Sequence, residues 1–362
     1  MKKRRSYILV ALLLVIALGM FAMNGCGKRA AEEPSSQPEA AKPESEPEPA
    51  PEPLPEPEPV YTAWLPLTGE GVDENDPRLK LRPLSVKIEN TPESRPSMGL
   101  TYADVVYETI TEGGITRFNA IFHSTIPNEL GSVRSGRNSD TTIVPQYGAL
   151  FVFSGCNSVV LEQLAASIPN RISEGNAGNS FYRVQQKSAP HNLYFNPKLG
   201  YERFEELGAD IYTDEPRGLS FGKNDMEGLG GSKATEIFVP FSAPVFDVTW
   251  KYDPESGAYF RYIKGEAQVD ESDNARQVRA ENVVVLGPPY SSNGDGLTLA
   301  INFNGEGNAI LFQDGMRLDL TYYSDGTHPP TLRDSNGKTV FFKPGQTWFQ
   351  APGNVNVAEV IN

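Results

Sequence analysis

The glycine pair Gly113-Gly114 lies between two runs in which polar and apolar residues alternate. Because both glycines can adopt positive φ, the pair predicts a two-residue hairpin turn with Glu108 opposite Asn119. Partners in an antiparallel pair share one face of the sheet. One face is therefore predicted to carry the polar residues Asp104, Glu108, Glu112, Arg117, Asn119 and His123. Such a surface could bind an ionic ligand or transfer protons, and the alternative is an ordinary solvent-facing sheet with Glu–Arg pairs.

A loop rich in small residues follows the hairpin. The segment 131–140 contains two arginines three positions apart, Arg134 and Arg137, among glycines and serines, and a helix is expected to begin near Ser139. The arginine side chain has the planar donor geometry that suits carboxylate and phosphate. The loop is therefore a candidate anion site, and the alternative is an internal ion pair with Glu108 or Glu112.

A third polar segment, Lys187-Ser188-Ala189-Pro190-His191-Asn192, places a histidine in a loop that also contains proline. His191 could act as an acid or a base, although most such histidines satisfy a local hydrogen bond. The predicted ligand-binding residues are Arg117, Arg134, Arg137, Glu108, Glu112, Asn119, His123, His191 and Asn192.

An enzymatic alternative uses the same residues. In a hydrolase or transferase acting on wall polymer, Glu108 or Glu112 would be the acid/base and His123 or His191 would assist. The two glutamates lie four residues apart in a strand, about 13 Å. Glycoside hydrolases use carboxylates about 5–9.5 Å apart, so this geometry fits poorly. No catalytic residue is assigned.

Cofactor and metal signatures are weak. Gly228–Ser232 is glycine-rich but lacks the Lys-Ser/Thr of a phosphate loop, and the histidines lack metal-ligand spacing. We therefore predict neither a cofactor nor a metal. Cys156, expected to be the one remaining thiol after lipidation of Cys26, is predicted to be a structural thiol at a strand end.

The chain from residue 60 onward predicts two regions of an α+β fold. Residues 60–234 are predicted to be a mixed α/β domain built on a large mixed sheet. Its predicted strands are Ser85–Glu89, Val105–Thr111, Thr116–His123 and Gly148–Phe153, and its predicted helices are Val159–Ile168 and Tyr201–Leu207. Residues 235–362 are predicted to be mostly β because short alternating runs are separated by turn signals. The predicted strands there are Glu236–Pro240, Val245–Tyr252, Tyr259–Ile263, Asn282–Leu286, Leu297–Phe303, Ala309–Gln313, Met316–Tyr323, Thr339–Phe342 and Thr347–Gln350.

The N-terminus predicts export and membrane attachment. Four basic residues, an apolar run over Tyr7–Met23 and Gly25-Cys26 resemble a bacterial lipoprotein signal peptide over residues 1–26, with Cys26 as the lipidated residue. The alternative is an uncleaved membrane anchor. Both place the rest of the chain on the extracytoplasmic side of the cell membrane.

Residues 27–59 are dominated by Pro and Glu and are predicted to be a disordered spacer, because they contain too few apolar residues to form a core. An extended spacer could reach roughly 90 Å at about 3.1 Å per residue. The whole chain has a net charge of −14 and no basic stripe, which argues against nucleic acid as a partner.

Several segments together carry a family resemblance. They include Glu112-Gly113-Gly114-Ile115-Thr116-Arg117-Phe118, Val133-Arg134-Ser135, Ala189-Pro190-His191-Asn192-Leu193-Tyr194, Tyr252-Asp253-Pro254 and Lys343-Pro344-Gly345-Gln346-Thr347-Trp348. With these the chain resembles the YerB-like bacterial lipoproteins, which have two consecutive domains of unknown function. The resemblance implies an α+β fold with a large mixed sheet, and it implies no reaction. We expect a lipid-anchored envelope protein that binds an anionic wall fragment or an envelope protein, and a purely structural scaffold is the remaining alternative.

Overall fold

The computed structural model describes residues 61–272 and 274–361, which belong to one unit by their internal contacts. The predicted signal peptide, the lipidation site Cys26 and the spacer lie outside the described residues. No helix within 61–272 or 274–361 is long and apolar enough to cross a membrane.

The described residues contain three α-helices, α1 (Asp140–Gln146), α2 (Ser158–Ser167) and α3 (Pro197–Glu206). Two of them begin at side-chain caps, because Asn157 Oδ1 accepts from Val160 N (2.8 Å) and Asn196 Oδ1 accepts from Leu199 N (3.0 Å). The two helices predicted in this region are confirmed as α2 and α3, and α3 begins earlier than predicted. Short 3₁₀ turns occur at Pro77–Leu79, Pro92–Ser94, Leu100–Tyr102, Glu112–Gly114, Pro244–Phe246 and Val355–Val357.

Strands make up most of the regular structure, as predicted for the C-terminal half, where all nine predicted strands are confirmed. The strands before residue 234 are β1 (Ala63–Trp64), β2 (Gly71–Val72), β3 (Leu84–Glu89), β4 (Val105–Ile110), β5 (Thr116–Phe122), β6 (Leu130–Gly131), β7 (Leu150–Val152), β8 (Arg171–Ile172), β9 (Phe181–Arg183), β10 (Leu193–Phe195) and β11 (Ser232–Lys233). The later strands are β12 (Glu236–Val239), β13 (Val248–Asp253), β14 (Ala258–Ile263), β15 (Glu266–Ala267), β16 (Arg279–Ala280), β17 (Asn282–Leu286), β18 (Tyr290–Ser292), β19 (Leu299–Ile301), β20 (Gly305–Gln313), β21 (Met316–Ser324), β22 (Thr331–Arg333), β23 (Thr339–Val340), β24 (Thr347–Ala351) and β25 (Glu359–Val360).

One mixed sheet joins both halves of the chain. Its order is β23-β22-β21-β20-β17-β24-β4-β5-β3-β7-β8, with β11 paired to β21. The late strand β24 lies parallel between β17 and β4, so that Gln350 is opposite Glu108. The domain boundary predicted at residues 234/235 stays a prediction, and strands from both sides of it hydrogen-bond in this sheet. The fold is therefore β-rich, with a mostly β C-terminal part.

The central strands are covered on both faces. One apolar cluster contains Val106, Phe118 and Trp250, and a second contains Tyr107 and Ile121. The first cluster includes residues of a six-stranded sheet with the order β15-β14-β13-β12-β25 and β16 paired to β14. Polar side chains on the central strands are therefore buried on either face, and they need partners inside the protein.

Candidate functional site

The β4–β5 hairpin has a register that differs by one residue from the prediction. Glu108 lies opposite Phe118 and Tyr107 opposite Asn119, and Thr111 N donates to Ile115 O (2.7 Å). The predicted two-residue turn is wrong, because the loop contains the three residues Glu112–Gly114. A slip of one residue moves the side chains of one strand to the other face. Glu108 therefore lies on the opposite face from Arg117 and Asn119, and the predicted single polar face does not form.

Glu108 is sealed inside the protein. Its Oε2 accepts from Arg261 Nη2 (2.6 Å), and its Oε1 accepts from Thr116 Oγ1 (2.7 Å) and Asn90 Nδ2 (3.0 Å). The side chains of Glu108 and Arg261 are both 0% exposed. This carboxylate is consequently part of a buried ion pair and does not face solvent or a ligand bound at Arg117.

Aromatic rings surround the partner of Glu108. The guanidinium carbon of Arg261 lies 5.1 Å from the ring centre of Trp348, 5.4 Å from Phe118 and 5.8 Å from Trp250. Burial lowers the pKa of Arg261, and the charge of Glu108 opposes that effect. The pair joins β4 of the large sheet to β14 of the six-stranded sheet.

The other face of β3 and β5 carries a second buried network. Asp140 Oδ1 accepts from Lys87 Nζ (2.7 Å) and from Asn119 Nδ2 (3.0 Å), and Asn119 Oδ1 accepts from Ser85 Oγ (2.9 Å). Asp140 Oδ2 accepts from Arg137 N (2.7 Å). The first residue of α1 therefore holds the main chain of the loop that precedes the helix. Asn119 thus holds the arginine loop in place and is itself 0% exposed.

Three arginines meet at the hairpin end of this face. Arg134 Nε lies 3.0 Å from Glu89 Oε1, and Arg137 Nε donates to Glu112 Oε2 (2.8 Å). Arg117 lies opposite Glu89 in the sheet. We call Arg117, Arg134, Arg137, Glu89 and Glu112 the arginine cluster. The sequence alternative of an Arg–Glu112 ion pair is confirmed for Arg137, and an anion site there remains compatible with it.

The arginine cluster has more positive than negative charge. Arg117 is buried, its Nη1 makes one long bond to Ser135 O (3.4 Å), and its Nε has no hydrogen-bond partner among the described residues. Burial and the neighbouring charges of Arg137 and Arg134 lower the pKa of Arg117 to about 9. Glu112 Oε1 is also buried without a hydrogen-bond partner in the described part of the chain. Three guanidinium groups and two carboxylates leave one excess positive charge at this end of the sheet.

The cluster is open to solvent at its rim. The side chains of Arg134, Arg137 and Glu112 are 20%, 15% and 27% exposed. His191 contributes as well, because its Nδ1 lies 3.0 Å from Glu89 Oε2. A small anionic group can therefore reach the edges of two arginines from outside.

Two predicted residues lie elsewhere. Asn192 accepts from Arg183 Nη1 (2.9 Å) and donates to Val184 O (3.0 Å), outside the cluster. His123 follows the far end of β5, six positions from Arg117. The structure thus brings together Arg117, Arg134, Arg137, Glu112 and His191, and it separates them from Glu108, Asn119, His123 and Asn192.

Glu89 is the member of the cluster that sequence reasoning missed as a site residue. A signal was present, since the polar residues Ser85, Lys87 and Glu89 alternate along a strand with Val86 and Ile88. A period of two places those three side chains on one face. Their burial follows from α1 and the second apolar cluster, which pack over that face.

Two other kinds of chemistry receive no support from the geometry. No group of three or more His, Cys, Asp or Glu side chains within the described ranges could hold a metal ion. Burial raises the pKa of the free thiol of Cys156 to about 11, so the thiol is protonated and a poor nucleophile at neutral pH.

Comparison with known families matches both parts of the chain. Residues 67–210 match the model described as "Protein of unknown function (DUF3048) N-terminal domain", and residues 237–349 match the corresponding C-terminal domain. The chain belongs to this DUF3048 family. The family resemblance found in the sequence is thereby confirmed.

A curated relative and a solved structure each resemble most of the chain. The protein named "Putative lipoprotein YerB" of Bacillus subtilis (strain 168) is 27% identical over 298 residues, covering 82% of this chain and 88% of that protein. The crystal structure of the YerB protein from Bacillus subtilis superposes with a TM-score of 0.75 at 25% identity, covering 83% of this chain and all of that one. The fold is therefore similar to that of the YerB protein.

Proposed function

We propose that this protein is a lipid-anchored component of the bacterial cell envelope that binds an anionic ligand at the arginine cluster. The ligand is the phosphate or carboxylate of a wall fragment, or an acidic surface of an envelope protein. The lipoprotein pattern ending at Cys26 and the name of the YerB relative support the anchor. The lipid would hold the protein on the extracytoplasmic side of the membrane.

One observation carries the binding proposal. Arg117 is a buried guanidinium whose Nε has no hydrogen-bond partner within the described residues, and two further arginines lie beside it with insufficient carboxylates to neutralise all three. A buried donor without a partner costs about 1–3 kcal/mol, which a bound oxyanion would recover. Arg134 and Arg137 would supply the exposed edges of the site.

The geometry argues against a glycoside hydrolase and against Glu108 as the acid/base. A glycoside hydrolase would need both Glu108 and Glu112 to reach one substrate. Glu108 is 0% exposed and bonded to Arg261, whereas Glu112 lies in the hairpin loop. A single accessible carboxylate does not make the required pair.

The test uses residues 58–362, which form one unit by their own contacts, in a thermal-shift and calorimetry series. The probes are sn-glycerol 3-phosphate, muramyl dipeptide and neutral glycerol. A probe at a hundred times its Kd adds about 2.7 kcal/mol to the free energy of unfolding. We expect stabilisation by an anionic probe, no effect of glycerol, and at least tenfold weaker binding in Arg134→Gln.

A second variant, Glu112→Gln, should change the affinity for the ligand in the opposite direction. Glu112→Gln removes the carboxylate that competes with the ligand for Arg137, so it should bind the anionic probe about three- to tenfold more tightly, or about 0.7–1.4 kcal/mol. Arg317→Gln is the matched control, since Arg317 pairs with Asp319 on β21, outside the cluster. The proposal fails if no anionic probe binds, or if Arg134→Gln and Arg317→Gln bind it equally.

A further inference from the structure

A polar cavity lies beyond the other end of β5. Its volume is about 200 Å³, and its lining includes Arg82, His123, Tyr147, Gly148 and Arg217. Arg117 and His123 are six residues apart on and just after an extended strand, so the cavity is about 20 Å along the backbone from the arginine cluster. The space is large enough for several water molecules or for one small organic ion.

His123 contributes a buried imidazole to the lining of this cavity. The residue is 1% exposed, and its main-chain N donates to Asp104 Oδ2 (2.7 Å). Both ring nitrogens are buried, and the main-chain carbonyls of Arg78 and Leu81 lie near the ring. Burial lowers the pKa of His123, so the ring is neutral at pH 7 and offers one donor and one acceptor.

Two arginines face the same cavity without an ion-pair partner among residues 61–272 and 274–361. Arg82 donates from Nε to Gly148 O (2.8 Å) and from Nη1 to Asp210 O (2.9 Å). Arg217 Nη1 donates to Pro145 O. The guanidinium groups are thus oriented by neutral carbonyls, and each keeps N–H groups that these bonds do not use.

Charged groups of both signs lie near the cavity. Burial lowers the pKa of Arg82, and the nearby charge of Arg217 lowers it further, while Asp210 opposes both. Glu215 also lines the cavity, but it is exposed. A bound anion would make charge-assisted hydrogen bonds with the guanidinium N–H groups that Arg82 and Arg217 do not use, and these contacts would replace those of water.

We propose that this cavity is a second binding site, which takes a small oxyanion, a carboxylate or phosphate that also carries a hydroxyl or amino group. The oxyanion contacts Arg82 and Arg217, and the hydroxyl or amino group bonds to the His123 ring. This site is separate from the arginine cluster and does not depend on the function proposed for it.

The histidine rings provide a direct readout. The chain contains three histidines, so long-range ¹H–¹⁵N spectra of residues 58–362 contain few ring signals, and His123→Gln assigns the relevant one. The probes are lactate, propionate, neutral lactamide and inorganic phosphate at constant ionic strength. We expect saturable shifts of the His123 signals with lactate or phosphate, weaker binding of propionate, and no saturable shift with lactamide.

Arginine variants test whether the shifts of the His123 signals report binding by the guanidinium groups. Arg217→Gln should weaken binding of the active probe at least tenfold, and Arg217→Lys should retain part of it because the charge remains. Arg203→Gln is the control, since Arg203 lies on α3 and bonds to Glu206 and Asn176 O. Saturation by lactate without phosphate identifies a carboxylate site, and the reverse identifies a phosphate site.

Three results would overturn the inference. One is the absence of any saturable shift up to 50 mM probe, which means that the cavity holds water only. Another is an equal response to lactate and lactamide, which removes the role of charge. The third is unchanged affinity in Arg217→Gln, with circular dichroism showing that the variant is folded.

Discussion

Removing one charge of the buried pair Glu108–Arg261 is expected to lower the free energy of unfolding far more than removing both charges. Glu108→Gln keeps the shape of the side chain but leaves the Arg261 cation without its counter-charge. Both side chains are 0% exposed, and the two atoms are 2.6 Å apart. Removing one partner of such a pair costs about 3–5 kcal/mol, because the remaining charge is buried and unpaired.

A double variant separates the cost of an unpaired charge from the value of the pair. Glu108→Gln combined with Arg261→Met removes both charges and keeps an apolar side chain between Phe118, Trp250 and Trp348. We expect it to recover most of the lost stability, since replacing both partners of a buried pair is often neutral or better. The coupling between the two sites should therefore be at least about 2 kcal/mol.

Urea unfolding followed by tryptophan fluorescence is a suitable assay. Trp250 and Trp348 both lie within 6 Å of the Arg261 guanidinium carbon, and they are two of the three tryptophans in the chain. Coincident circular dichroism curves would justify a two-state analysis. Glu112→Gln is the matched control in the same hairpin, and its partly exposed pair should cost under about 1 kcal/mol.

The reasoning would be refuted by either of two results. One is a loss of stability in Glu108→Gln no larger than that in Glu112→Gln, which would mean that Glu108 is not in a sealed pair and would reopen its candidacy as an acid/base. Alternatively, the double variant could lose the sum of the two single losses, which would mean that the two charges do not interact.

Two further predictions concern the anchor and pH. Cys26→Ser should abolish incorporation of labelled palmitate and release the protein from the membrane fraction in a bacterial host; retention of label would contradict the lipoprotein assignment. Burial lowers the pKa of His123, so the folded state binds fewer protons than the unfolded state below about pH 6.5 and loses stability on acidification. Burial raises the pKa of Asp104 from 3.8 to about 6, which acts in the opposite direction as pH falls through 6. The stability of the wild type relative to His123→Gln should thus fall between pH 7 and 5, by at most about 1.4 kcal/mol per pH unit, in urea titrations; a constant difference would contradict the buried neutral ring.

The β4–β5 hairpin shows that local sequence predicted the two strands but not the length of the loop between them. Alternation predicted β4 and β5 correctly, and Gly113-Gly114 predicted the turn. Both glycines do adopt positive φ, 72° and 74°, but they belong to a three-residue loop. Two- and three-residue loops are both compatible with the same glycines, and the burial of both faces of the sheet selects between them.

The arginine cluster was only partly predictable from the sequence. The spacing of Arg134 and Arg137 in a small-residue loop indicated an anion site, and Glu112 was a predicted partner. Glu89 becomes a partner because β3 pairs with β5 and places it opposite Arg117. Pairing between strands depends on contacts across the whole sheet, and the residues of one strand do not specify it.

By itself, the sequence determined the lipoprotein-like start, the β-rich C-terminal half and the presence of helices α2 and α3, because each depends on residues close together in the chain. Tertiary structure alone decided which polar residues share a site. Glu108 and Arg261 are 153 positions apart, and they meet because the two sheets pack face to face. A buried charge requires a partner, and in this fold the partner comes from a distant strand that no local pattern identifies.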